Sequence, residues 1–166
     1  LVRDGRELYD VWRLGTEGEP RYRLEVLFDG YAKGAKGALA KLEKTTGRPT
    51  AKYARAGVSQ PHPQTIRGLG KLGIADAALE GTTFVADIGN LGAASLGLSL
   101  ALALDGARKG QAVLALGYGA GEAIAQEITL EAAPPKAAIA EMLADTEQIA
   151  LGTYYRWTRG RQQQPH

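Results

Sequence analysis

The chain has 166 residues, 45% hydrophobic and 23% charged, enough for one domain with a substantial core and unlike a disordered composition. A formal net charge of +2 carries no electrostatic signature of nucleic-acid binding. The lack of cysteine excludes disulfides, thiolate zinc sites and a cysteine nucleophile within these residues.

Residues 1–20 mix charges, glycines and large aromatics and read as an irregular docking segment; residues 1–8 offer no strand pattern. From about Tyr22 to Lys44, Leu24, Leu27, Phe28, Tyr31, Ala35, Ala38, Leu39 and Leu42 recur at three- and four-residue steps, with Lys33, Lys36, Lys41 and Lys44 on the other face, which predicts a helix. Gly47 and Pro49 end it. "YARAGVSQ" (53–60) is a strand candidate, and a helix follows from about Pro63 to Leu72 with proline in its first turn. "TTFVADI" (82–88) reads as an approach strand or loop. An apolar helix is expected from about Asn90 to Leu104, then a buried strand over 111–117 and the glycine turn "GYGAG". The alternation of residues 122–131 predicts another strand. Residues 133–145 read as a helix with Pro135 near its first turn, and the last residues as a frayed tail. The domain proper is therefore expected over 21–150, with an aromatic-basic tail over 151–166. The order of elements is that of an α/β layer protein.

Between Asp87 and Asp105 the sequence has no charged residue. A helix apolar all round is either membrane-spanning or enclosed by protein. At ~1.5 Å per residue it would be about 22 Å long, short of the ~30 Å hydrocarbon core. The expectation is a helix sandwiched between two sheets, with Gly92, Ala93, Ser95, Gly97 and Ser99 admitting close backbone approach.

"GNLGAAS", an apolar helix, a strand, "GYGAG" and a second strand together resemble the C-terminal half of the thiolase superfamily. The likeness is closest to archaeal-type 3-hydroxy-3-methylglutaryl-CoA synthase and β-ketoacyl synthase III. "YDVWR" (9–13), the Gly-Glu-Pro before the long helix, "SQPHPQTIRGLGKLG" and "YYRWTRG" resemble the archaeal group in the same order. The resemblance implies the C-terminal half of a five-layered αβαβα fold, with a mixed sheet and a buried central helix.

It also implies chemistry beside a thioester, either carbon–carbon condensation or cleavage, with acyl-CoA as substrate and no covalently bound cofactor. Such a site needs uncharged donors facing a developing oxyanion. Asn90 matches the family asparagine, although Asn is equally suited to a plain helix cap. The loop at Gly119 and Ala120 matches the oxyanion loop, although glycine also serves a hairpin turn. A dinucleotide-binding turn is disfavoured there, because a strand follows rather than a helix. The family histidine precedes Gln-Pro; here that position is Ser59, and the nearest imidazole is His62. A serine cannot take up a proton near neutral pH. His62 is thus either the site's base or a loop residue between two prolines. No metal site is expected.

The nucleophilic cysteine belongs to the family's other half. The resemblance therefore implies a partner: an N-terminal half, or a second chain, that carries it. The chain would then be part of a longer polypeptide, a split subunit or a non-catalytic thiolase-fold partner. Tyr154, Arg156 and Trp157 have an interface composition, which suggests contact with CoA phosphates or with a zinc-ribbon/OB-fold protein. A homo- or hetero-oligomer is expected, without nucleic acid or membrane. With Leu1 first and Met142 the one methionine, residues are expected upstream; without a basic-then-apolar leader, so is a cytoplasmic location.

Overall fold

The computed structural model describes residues 1–8, 11–12, 15, 21–134 and 137–159. In chain order the elements are β1 (Val2–Gly5), β2 (Val11–Trp12), β3 (Arg21–Tyr22), α1 (Leu24–Thr46), β4 (Arg55–Val58), α2 (Pro63–Arg67), α3 (Asp76–Leu79), α4 (Ala94–Asp105), β5 (Ala112–Gly119), β6 (Glu122–Thr129), α5 (Ile139–Ala144) and α6 (Leu151–Arg159). Short 3-10 turns lie at Thr50–Lys52 and Leu69–Leu72.

One mixed sheet has the order β1-β6-β5-β4. β4 runs parallel to β5, while β6 is antiparallel to both β5 and β1. β2 and β3 form a separate antiparallel ribbon. Residues 112–117 of β5 are all buried, because helices cover both faces of that strand; this accounts for its unbroken apolar run. On one face Leu114 and Leu116 join Tyr31, Ala35, Ala38 and Leu39 of α1. On the other, Val113 packs with Ala103 and Ala107, flanked by Leu100 and Leu104. The chain is thus three layers, α1 / sheet / α4.

α1 follows its periodicity. Leu27, Tyr31, Ala35, Ala38, Leu39 and Leu42 are buried, and Gly47 closes the helix in the left-handed region at φ 70°, its N–H donating to Glu43 O. The absence of a strand over residues 1–8 is corrected. β1 pairs Val2 with Ala125 through Gly5 with Glu122, and Lys41 Nζ holds it from α1 by donating to Arg3 O (3.0 Å) and Asp4 Oδ1 (2.6 Å). At a sheet edge only one side of a strand needs apolar residues, so four residues with one valine leave little pattern to read.

Several boundaries also move. The helix expected over 63–72 breaks at Gly68 into α2 and a 3-10 turn. Of the strand and the loop left open for residues 82–88, the structure has the loop, with turns over 85–88. α5 occupies only part of 133–145; Pro135 lies outside the described residues, as do Gly-Glu-Pro at 18–20 and residues 160–166. Residues 151–159, read as tail, are helical.

α4 begins at Ala94, with Ala93 rather than Asn90 in the capping position. Ser95, Ser99, Leu102 and Ala103 are buried toward the sheet. Ala94 and Gly97 are exposed, and Leu98 and Ala101 are half-buried. Among the described residues, then, a sheet covers α4 on one side; the second sheet expected on its other side is not among them. No helix among the described residues is long and apolar enough to cross a membrane.

Candidate functional site

Because β4 and β5 are parallel, their C-terminal ends lie together, and β6 starts beside them. The edge outside such strand ends is where α/β sheets place ligands. A cleft of about 260 Å³ opens there, lined by Ser59, Gly92, Ala93, Leu96, Gly117, Tyr118, Gly119, Glu122 and Ile124. Its walls therefore come from the residue after β4, the entry to α4, the end of β5 and the start of β6.

Ser59 is the floor. It is buried, and three bonds fix it: its N–H donates to Leu116 O at 2.8 Å, its carbonyl accepts from Tyr31 Oη at 2.9 Å, and its Oγ accepts from the Tyr118 N–H at 3.1 Å. Burial holds the Tyr31 phenol well above its ordinary pKa, so it stays a neutral donor. The Tyr118 N–H is committed to Ser59.

His62 does not line the cleft. It is the N-cap of α2, where its Nδ1 accepts from the Gln64 N–H at 3.1 Å. That bond places the neutral imidazole's proton on Nε2. Its ring lies 5.0 Å from that of Phe28. His62 thus stands in the loop before α2 as its cap, outside the cleft lining.

Asn90 is exposed. Its Oδ1 accepts from the Gly92 N–H at 2.8 Å, an Asx-type turn that leaves its Nδ2 group as a donor. It stands two residues before Gly92 on the cleft wall and is not itself a lining residue. Gly119 lines the cleft, whereas Ala120 does not. Ala120 (φ 48°) and Gly121 (φ 83°) make the tight turn joining the paired Gly119 and Glu122, the two-residue hairpin with positive φ at both central positions. Tyr154 and Trp157 on α6 are exposed, as is Arg156; none lines the cleft.

Two residues were not anticipated. Glu122 lines the cleft and is ion-paired with Arg3 at 3.4 Å; β1, without a sequence signal, hid that pair. Gln60 is fully buried behind Ser59. Among the described residues no group of three or more His, Asp or Glu could hold a metal ion.

No protein-family model matches the chain, and no curated protein does. Solved structures do. MvaS in complex with 3-hydroxy-3-methylglutaryl coenzyme A aligns over 98% of this chain and 49% of its own, with 23% identity and a TM-score of 0.78. An HMG-CoA synthase complexed with CoA aligns over 93% and 45%, with 17% identity and a TM-score of 0.73. 3-Oxoacyl-(acyl carrier protein) synthase III from Pseudomonas aeruginosa PAO1 aligns over 80% and 44%, with 16% identity and a TM-score of 0.64. The chain thus spans about half the length of the structures it matches. Its fold is that of the C-terminal half of the HMG-CoA synthases and their thiolase-like relatives.

Proposed function

We propose that this chain is the C-terminal half of an acyl-CoA condensing, or carbon–carbon cleaving, acyltransferase of the HMG-CoA synthase type. Its role is to polarise the thioester carbonyl, through the Asn90 amide and the backbone at Gly119. The cysteine that takes the acyl group comes from the other half, as an N-terminal segment or a second chain, and acyl-CoA is the substrate. The open face of α4 is the surface against which that half packs, and α6, with Tyr154, Arg156 and Trp157, is where a zinc-ribbon/OB-fold protein docks.

The observation that carries this reading is the cleft itself. In a fold shared with proteins solved with CoA or HMG-CoA bound, the Ser59 floor, the Gly92 wall and the Gly119 rim meet at the strand ends. Its 260 Å³ falls below the ~300–1,000 Å³ typical of small-molecule sites, as expected of a cavity that a second half completes. The test is intact-mass analysis of the complete assembly after incubation with acetyl-CoA. One added acetyl group on the cysteine-bearing polypeptide, and condensation abolished by Asn90→Ala without loss of that adduct, is the expected pair of results. An assembly that neither gains acetyl nor turns over acyl-CoA overturns it.

A second reading, a non-catalytic partner subunit, is favoured by one observation. Ser59 stands where the resemblance calls for histidine, with its Oγ engaged by Tyr118, while His62 caps α2. The Asn90→Ala arm of that experiment separates the two, because a non-catalytic partner leaves condensation unchanged by the substitution.

A further inference from the structure

Gln60, absent from the cleft lining, makes four side-chain hydrogen bonds. It follows Ser59 directly and is fully buried. Its Nε2 donates to Thr82 O at 2.8 Å and to Ser99 Oγ at 3.1 Å. Its Oε1 accepts from the Phe84 N–H at 2.8 Å and the Val85 N–H at 3.1 Å. Its backbone N–H donates to Ser95 Oγ at 2.8 Å, and Ser99 Oγ donates onward to Thr82 O at 2.9 Å.

These partners lie at the two ends of one segment. Thr82, Phe84 and Val85 precede it; Ser95 and Ser99 follow it on α4. Between them the chain is tied to the first end by turns, the N–H groups of Asp87 and Ile88 donating to Phe84 O and that of Gly89 to Val85 O. It then carries Asn90 and Gly92 before α4 begins. One side chain therefore pins both ends of the loop that bears the asparagine, and its own backbone neighbour is the cleft floor. A primary amide is the one side-chain group that can both donate twice and accept twice in this arrangement, and full burial removes water as a substitute.

We infer that Gln60 is the positioning residue of the site: it sets the distance between the Asn90–Gly92 loop and Ser59 without touching substrate. This rests on the reading of the cleft given above. The experiment compares Gln60→Glu and Gln60→Leu with the unaltered protein, in the complete assembly, by amide hydrogen exchange and by acetyl-CoA kinetics. Glu keeps an acceptor for Phe84 and Val85 but loses the donor to Thr82 and Ser99; Leu loses both.

The expected result is exchange at least tenfold faster over residues 84–92 in Gln60→Leu, less so in Gln60→Glu, with β5 and α1 unchanged. With acetyl-CoA, kcat should fall at least tenfold while KM stays within threefold. Exchange that rises equally throughout the molecule, or not at all over 84–92, overturns the inference, as does localised loosening with unaltered kcat. An unaltered protein inert to acetyl-CoA removes the acyltransferase reading and with it the catalytic part of this one. The exchange pattern then decides the clamp alone.

Discussion

At position 59 a hydroxyl replaces the imidazole expected by resemblance, and the surroundings are built for the hydroxyl. Its Oγ receives the Tyr118 N–H in a pocket whose floor is buried. Ser59→Ala leaves that N–H without a partner, which costs ~1–2 kcal/mol when the group is shielded from water; a urea midpoint measures it. Asn90 contrasts with this. It is exposed and serves one turn bond, so Asn90→Ala should cost less than about 1 kcal/mol of stability yet lower condensation ~100-fold or more in the complete assembly, the usual effect of removing an oxyanion donor. Equal losses of fold and activity would instead mark Asn90 as a turn residue. For His62 the expected pattern is the reverse. His62→Ala loses a helix cap worth about 0.5–1 kcal/mol, His62→Asn restores it, and turnover changes less than threefold in either. All these residues were legible as types in the sequence. What could not be read was direction: which of Ser59 and His62 faces the cleft depends on a helix starting at Pro63, and that start turns the imidazole back toward Gln64.

Between elements, α4 crosses β4 with the two backbones in close contact. A Cβ placed on Gly57 would lie 2.5 Å from Leu100 Cα and 2.7 Å from Leu100 N, both backbone atoms that cannot turn aside. Gly57→Ala should destabilise by about 2–3 kcal/mol, at the upper end of overpacking costs; a loss under 0.5 kcal/mol would mean that the helix can slide. The closeness has a purpose visible in the hydrogen bonds. β4 is the last strand of the sheet, and its outward Val58 N–H would have no ladder partner. Ser99 Oγ accepts it at 2.9 Å, one helical turn from Ser95, which accepts from Gln60. Small residues in an apolar run announced close packing in the sequence. They did not announce that the serines finish an edge strand, because that requires knowing which strand is at the edge.

For the whole molecule, carboxylates tie distant parts of the chain. The Thr50 N–H holds the Glu43 carboxyl below its usual range and so fastens the end of α1 to the turn after it. Burial alone would raise Glu127, but bonds from Arg48 (2.8 Å) and Tyr53 (3.0 Å) and the arginine's charge outweigh it and lower the carboxyl. A carboxyl lowered in the folded state contributes stability that is present above its unfolded value, near 4.5, and is lost as pH falls through the folded value. Unfolding midpoints should therefore hold steady from pH 7 to about 5.5 and drop below about 4.5, following the carboxylate titration range. The double variant Glu43→Gln, Glu127→Gln should start lower at neutral pH and fall less steeply in acid; a parallel curve counts against these ties. Periodicity carried α1 and β6, an unbroken apolar composition carried β5, which helices cover on both faces, and local chemistry carried the Gly47 cap. The unbroken apolar run also announced close packing of α4, which the sheet provides on one side among the described residues. Tertiary structure alone decided that β1 is a strand, that Asn90 precedes α4 rather than capping it, that His62 turns from the cleft while Ser59 forms its floor, and that Gln60 joins both ends of the Asn90 loop. The pairing of β1 and the bonds of Ser59 and Gln60 join residues far apart in sequence, whose energies appear only when the sheet order brings them together. His62 and Asn90 make local bonds, to Gln64 and Gly92, and only their position relative to the cleft needed the fold.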